Sequence, residues 1–181
     1  MKGLFIYDIT IYRGEFYVVE TQVQSEKFLI EITGGSAKII DRNTGKLIKA
    51  FKGYTYLYTG DIRPDESEFF ALENGKHFYV YSLNTFELIK RITLPKGYES
   101  IDVNGFYSYD GNILNIPVQR YIYINKAKEK GYYEYILCKY ETEKYTLVDK
   151  INIEDYSIYH WKYVIKDDVW YSCALNKDII Y

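Results

Sequence analysis

Two histidines, His77 and His160, and two cysteines, Cys138 and Cys173, are the whole supply of soft metal ligands. No second histidine or cysteine stands at ligand spacing from either histidine, so no zinc site is expected. Both cysteines fall inside apolar, strand-like runs, where a thiol is ordinarily a small buried hydrophobe. No Gly-x-Ser-x-Gly elbow, phosphate loop or dinucleotide fingerprint occurs. Glu20, Glu99 and Asp102 lie in runs that read as innermost strands, and a hydrolase would need two such carboxyls at about 5 Å for retaining chemistry. Asp65, Asp110 and Asp167 sit in turns, where an aspartate bonds its own backbone. No Asp-rich or EF-type loop accompanies them, so calcium is not expected. No cofactor, metal or catalytic residue is therefore assigned. The unusual side chain is tyrosine, with 23 copies in 181 residues. Its ring packs while its hydroxyl hydrogen-bonds, which suits half-buried strands and interfaces.

Those rings need a scaffold. Apolar residues make up 48% and charged residues 27%, so a globular domain is expected rather than a disordered one. Lys plus Arg is 23 against 25 Asp plus Glu, which gives no electrostatic case for nucleic acid or an anionic membrane. No apolar run approaches the roughly 18 residues that span a bilayer, and Asp8 interrupts the N-terminal apolar stretch too early for a signal-peptide core. Two cysteines are too few for a disulfide framework, and a cytoplasmic protein is expected. With 3 prolines, many Ile, Val and Tyr, and no capping box before an apolar stripe of helical period, the fold class is all-β.

An internal recurrence organises the strands. Ala37–Lys49 and Phe78–Lys90 both read as a β-branched or aromatic strand, an Asn-Thr-centred turn, and a strand opening Leu-Ile-Lys, offset by 41 positions. Each ends at a Gly-Tyr pair, Gly53-Tyr54 and Gly97-Tyr98. A looser copy runs through Tyr135–Thr142 and Tyr145–Ile151. The turns at Pro64-Asp65, Asp110-Gly111 and Asp167-Asp168 keep register once one insertion is allowed in the third copy. Each unit is four short strands over roughly 40 to 45 residues. In the run Ile-Ile-Asp-Arg-Asn-Thr-Gly-Lys-Leu at 39–47, the Pro64-Asp65 turn and the Gly-Tyr joints, the chain resembles the WD-repeat and YVTN-like β-propeller family. The resemblance is architectural; the Trp-Asp and Gly-His pairs of true WD repeats are absent.

The resemblance implies one propeller domain over 1–181, with four blades of four strands at about 15–53, 54–97, 98–155 and 156–181. The segment 3–10 is expected to close the last blade, the alternative being a local hairpin onto 15–22. Strands between blades should read as continuous apolar runs, as at Phe28-Leu29-Ile30, Phe69–Leu72, Ile113-Leu114 and Trp170-Tyr171. A two-sheet sandwich is the rival architecture.

In the propeller reading the joints set Tyr54, Tyr98 and Tyr156 at equivalent positions on one face, with turns at Gly34-Gly35, Asn74-Gly75 and Asn176-Lys177 beside them. Such a ring of phenols and amides either binds a peptide or sugar or plugs the channel. The third blade carries a long hairpin, rising from Ile113 through Arg120, Tyr121 and Tyr123, turning at 126–131, and returning through Tyr132, Tyr133 and Tyr135. Its aromatics read as a partner surface, and its lysines also guard an exposed edge. The expected function is a non-catalytic module, monomeric or homodimeric, binding a protein or peptide; an inhibitor or immunity-type partner is one form this would take. A carbohydrate or small-molecule receptor is the alternative, and a hydrolase using channel carboxylates ranks third.

Overall fold

Strands occupy the β-branched and aromatic runs, and short polar connections end them. The computed structural model describes residues 9–12, 15–18, 21–101, 105–125, 127, 130–153, 161–164, 169–174 and 177–180. Over 9–18, at Tyr58 and over 161–180 it describes the backbone alone. The fold is all-β, with no α-helix among the described residues and no helix long and apolar enough to cross a membrane.

β1 (Ile9–Tyr12) and β2 (Glu15–Val18) form a two-stranded hairpin. β3 (Thr21–Gln24), β4 (Phe28–Thr33), β5 (Ser36–Asp41) and β6 (Leu47–Lys52) follow as a four-stranded antiparallel sheet in sequence order. β7 (Leu57–Ile62), β8 (Glu68–Glu73), β9 (His77–Ser82) and β10 (Leu88–Thr93) make a second. The third contains β11 (Glu99–Ser100) and β12 (Phe106–Tyr107), which both pair with β13 (Ile113–Asn125), then β14 (Lys130–Glu141) and β15 (Thr146–Ile153). β16 (Trp161–Val164), β17 (Val169–Ala174) and β18 (Lys177–Ile180) form a three-stranded sheet.

Of the segment expected to close the last blade, only Ile9 and Thr10 are described, and they follow the local-hairpin alternative. Ile9 and Thr10 pair with Val18 and Tyr17, not with the β16–β18 sheet, and residues 3–8 lie outside the described residues. Two residues separate β1 from β2, so this local pairing costs far less loop entropy than a contact with the far end of the chain. The first four-stranded sheet begins at Thr21.

The chain divides into two compact units, Met1–Thr93 and Leu94–Tyr181. In the first, one sheet packs on the other. Val23, Ile30, Ile32, Ala37 and Ile39 meet Leu57, Ile62, Phe69, Ala71, Tyr79, Tyr81 and Leu83, with Phe28, Phe51, Tyr54 and Phe86 packed around them. Gly60 permits the close approach: a Cβ there would lie 2.2 Å from the Phe70 carbonyl and 2.6 Å from Ile32 Cδ1. β8 and β9 are buried on both faces, since Phe70, Leu72, Phe78 and Val80 are also fully buried. β4 is not. Its buried residues alternate, and its outer face carries the Glu31–Lys38 ion pair at 3.2 Å and the Thr33–Ser36 hydroxyl pair at 2.8 Å. Leu29, on that outer face, is therefore only half-buried, and so is Phe28 at the strand's start on the inner face, against the expected two-sided cover.

In the three larger sheets the last connection is closed locally. Asp41 accepts the Thr44 N–H at 2.7 Å, Ser82 Oγ accepts those of Asn84 and Thr85 at 3.1 and 3.0 Å, and Glu141 accepts those of Lys144 and Thr146 at 3.0 Å each. Gly45, Phe86 and Tyr145 take the left-handed conformation at φ 67, 58 and 55°. Each connection is followed by a register shift in the strand pair it joins. A phenylalanine and a tyrosine thus adopt the turn geometry that glycine adopts in the first sheet, at a local cost of about 1 kcal/mol each.

Candidate functional site

The register of β13 and β14 sorts the hairpin's side chains into two faces, because directly opposed residues point the same way. Tyr121 opposes Tyr133, Gln119 opposes Tyr135, and Tyr123 opposes Gly131. Tyr121, Tyr123, Tyr133 and Tyr135 therefore share one face. Their rings touch in series: Tyr121–Tyr123 centroids are 4.8 Å apart and edge-on, Tyr121–Tyr133 5.0 Å and edge-on, Tyr133–Tyr135 6.1 Å and stacked. Tyr123 remains 54% exposed and Tyr133 46%, and Tyr135 anchors the ladder on a small core of Phe106, Leu137 and Ile153. Gly131 completes the face. A Cβ there would meet Tyr121 Cε1 and Cζ at 2.8 Å and the Ile122 carbonyl at 2.1 Å, so the Tyr121 ring packs directly against the glycine backbone.

The other face carries a polar latch. Arg120 opposes Glu134, with Nη2 donating to Oε1 at 3.2 Å and Nε 2.5 Å from Oε2. Tyr98, 9% exposed, donates its hydroxyl to the same carboxylate, and the Arg120 guanidinium lies 4.8 Å from its ring centre. Lys150 Nζ sits 6.0 Å from that ring. Burial, then the Glu134 carboxylate that accepts its hydrogen bond, pushes the Tyr98 phenol up to about 12. The Arg120 hydrogen bond, followed by that of Tyr98, holds Glu134 below its ordinary range. The latch ties the joint before β11 to the root of the hairpin.

In the first unit, Tyr54 is half-buried at the joint between the two sheets. It accepts a 2.5 Å hydrogen bond from Tyr81 and packs edge-on against Tyr79 at 4.8 Å. Glu73, 8% exposed, accepts from the Tyr79 hydroxyl at 2.7 Å and from the Thr55 N–H at 3.0 Å. The Asn74 N–H donates to the Tyr56 carbonyl at 2.8 Å, and the Gly35 carbonyl accepts from Tyr54 N–H at 3.4 Å. The turns at 34–35 and 74–75 thus flank the joint at 54–56. Burial pushes Tyr79 up to about 12, helped by Glu73, and pushes Tyr81 higher still.

The structure therefore divides the predicted residues into three settings. Tyr121, Tyr123, Tyr133 and Tyr135 come together on one face. Arg120 and Tyr132 lie on the reverse face, Arg120 with Tyr98 and Tyr132 opposite Ile122. Tyr54 and Asn74 belong to the first unit; Tyr156 and Asn176 lie outside the described residues, as do Glu20, Asp102, Asp167, the His160 ring and the Cys173 side chain. Glu99 is exposed and accepts from Gln119 at 3.2 Å. His77 Nδ1 pairs with Thr93 Oγ1 at 3.3 Å. Asp65 accepts from the Ser67 N–H at 3.0 Å and Asp110 from the Asn112 N–H at 3.0 Å, as turn aspartates do. Cys138 is a buried free thiol, pushed up to about 11 by burial. Among the described residues no group of three or more His, Cys, Asp or Glu could hold a metal ion.

Sequence reasoning missed Glu134, Lys150, Glu73 and Gly131. Counting outward from the Asn125–Lys130 pair would set Tyr121 against Glu134; the register shift at Ile124 moves the pairing by one residue and sets Arg120 against Glu134 and Tyr121 against Tyr133, so the sequence carried no direct signal for it. Tyr98 meeting Glu134 is a contact between positions far apart in the chain and carries no such signal.

No protein-family model matches the chain, and no curated protein matches it. Among solved structures it is similar in fold to a chain of Kuenenia stuttgartiensis hydrazine synthase, with a TM-score of 0.54 and 16% identity, over 70% of this chain and 34% of that one. At that identity the likeness concerns fold alone. The chain matches about a third of that protein's length.

Proposed function

We propose that this chain is a non-catalytic recognition module of small-propeller type that holds a protein or peptide partner against the tyrosine face of the β13–β14 hairpin. The observation that carries the reading is that face: tyrosines at 121, 123, 133 and 135 in ring contact, two of them half exposed, on a rigid pair of strands. Rings already held by their neighbours lose little side-chain entropy on docking, which makes them good anchors. The Tyr98–Glu134–Arg120 latch supports the same reading, because it stiffens the root from the reverse face. The propeller reading draws support from the successive antiparallel meanders and from the left-handed residue that recurs at Gly45, Phe86 and Tyr145. The module would act in the cytoplasm, as a monomer or homodimer.

The test is the double substitution Tyr121→Ala/Tyr133→Ala. A partner captured from native cells, identified by mass and remade pure should lose at least about 2 kcal/mol of affinity, roughly thirtyfold, as for a pair of interface anchors. The unfolding midpoint should change little. Unaltered affinity would move the binding surface off the hairpin.

A further inference from the structure

The outermost strands of the first unit's two sheets share a feature that the tyrosine face does not use. β6 (Leu-Ile-Lys-Ala-Phe-Lys) and β10 (Leu-Ile-Lys-Arg-Ile-Thr) both open on Leu-Ile-Lys, and both are sheet edges. Each pairing shifts register at the second residue, so Ile48 and Ile89 are thrown outward. The apolar pair is exposed in both strands, with Leu47 at 58%. Each strand carries two cations and no carboxylate, in a chain whose acids outnumber its bases by 25 to 23. The edges therefore oppose the sign of the chain that bears them.

In β10 the cations are partly engaged, since Arg91 lies 5.9 Å from the Tyr79 ring centre. β6 is the more open edge. Lys49 and Lys52 are exposed and make no ion pair among the described residues. Among the described residues no strand pairs with the outer side of β6. Such an edge presents backbone donors and acceptors to any extended segment that suits its side chains.

The charges select the occupant. A second copy pairing β6 on β6 would bring lysines against lysines or apolar residues in every register, with no carboxylate to offset them. An acidic strand meets no such penalty. Lys49 opposes Ile39 and Lys52 opposes Ser36, so the two lysines fall on opposite faces of the sheet. A matching strand must then carry carboxylates three residues apart, one for each face, with apolar residues between them opposite Ala50 and Phe51 and another beyond the carboxylate at Lys49 to meet Ile48.

We infer that the outer edge of β6 is a docking strand for an extended acidic segment of a partner protein, added antiparallel or parallel as a fifth strand. Backbone hydrogen bonds supply the affinity, and Lys49 and Lys52 supply the selectivity and exclude self-pairing. This surface is separate from the hairpin and does not depend on the reading of the tyrosine face.

The probe is a fluorescein-labelled hexapeptide, Val-Glu-Val-Val-Glu-Val, titrated against the full chain by anisotropy. Its controls are the Val-Lys-Val-Val-Lys-Val analogue and the acidic peptide N-methylated at alternate residues. The acidic peptide should bind saturably, the lysine analogue should not, and N-methylation should abolish binding. Lys49→Glu/Lys52→Glu should weaken the acidic peptide at least about tenfold, the expected sum of two exposed charge contacts and their reversal, and should admit the lysine analogue. Bound peptide should also slow hydrogen exchange at β6 amides, a readout that needs no variant. Tyr121→Ala/Tyr133→Ala should leave the titration unchanged. Equal binding of the N-methylated peptide, absence of saturation, or protection elsewhere than β6 would overturn the inference. So would a wild-type dimer in sedimentation that the double charge reversal dissolves, since the occupant would then be a second copy.

Discussion

Tyrosine does two different jobs in the two units. Around Tyr54, Tyr79 and Tyr81 the rings are core: Tyr81 stacks on Phe69 at 4.6 Å, packs tilted against Phe51 at 4.3 Å, and donates a hydrogen bond from its hydroxyl to Tyr54. On the β13–β14 hairpin the rings contact each other with similar spacing, 4.8 to 6.1 Å, yet one side of the ladder faces solvent. Ring contacts alone do not separate the two. What separates them is cover: the first sheet packs onto the Phe69–Tyr81 face, whereas the hairpin runs past its neighbours, with β11 ending opposite Gln119 and β15 ending opposite Tyr135. A strand pair that outruns its sheet keeps its register and loses its cover, which leaves a preformed aromatic surface.

The largest test of that contrast removes a ring from each region. Phe69→Ala empties a fully buried site between two sheets and is expected to cost about 3–5 kcal/mol in urea unfolding. Tyr133→Ala removes a half-exposed ring and is expected to cost about 1 kcal/mol or less, the worth of its ring contacts. A cost at Tyr133 as large as at Phe69 would make the hairpin face a core and would sink the recognition reading.

How much of this was legible beforehand follows from what fixes each feature. The strands at 36–52, 77–93 and 130–153 could be read because Asp41, Ser82 and Glu141 close their turns through hydrogen bonds no more than five residues long. The partition of the hairpin's residues between two faces follows from period-two counting, yet grouping Arg120 with Tyr121 ignored that parity. The fate of Tyr54 and Tyr98 was not legible. Both stand at Gly-Tyr joints, but whether such a ring lines a surface or packs inward depends on the hydrogen-bond partner it finds, the Tyr81 hydroxyl as donor to Tyr54 in one case and the Glu134 carboxylate as acceptor from Tyr98 in the other. The pairing of Ile9 and Thr10 turned on the short separation of β1 from β2, which competes with any long-range closure.

A smaller effect sharpens the contrast at a single atom. Tyr79→Phe deletes the hydroxyl that donates to Glu73, a carboxylate only 8% exposed. The expected cost is about 1–3 kcal/mol, because a buried acceptor loses a donor. Tyr133→Phe changes a hydroxyl on the open face and is expected to stay within about 0.5 kcal/mol. Equal costs at the two positions would mean that cover is not what distinguishes the regions.

The smallest effect appears only in alkali. Tyr79 and Tyr98 are each pushed from 10.0 to about 12, by burial first and then by the carboxylates of Glu73 and Glu134 that accept their hydrogen bonds. In the unfolded chain these phenols ionise near 10, while in the folded chain they hold their protons. Stability is therefore unaffected below about pH 10 and falls progressively between pH 10 and 12, as the unfolded state alone releases protons. Glu134→Gln keeps an acceptor for Tyr98 but removes its charge, so the Tyr98 phenol should titrate closer to 10 and this part of the alkaline loss should shrink. Glu73→Gln should act likewise on Tyr79, at an added cost from disturbing a buried site. Melting temperature followed from pH 9 to 12, with phenolate absorbance read in parallel, checks both. If Glu134→Gln leaves the alkaline profile unchanged, the Tyr98–Glu134 bond is not formed in solution, and the hairpin root lacks the latch that holds its tyrosine face in place.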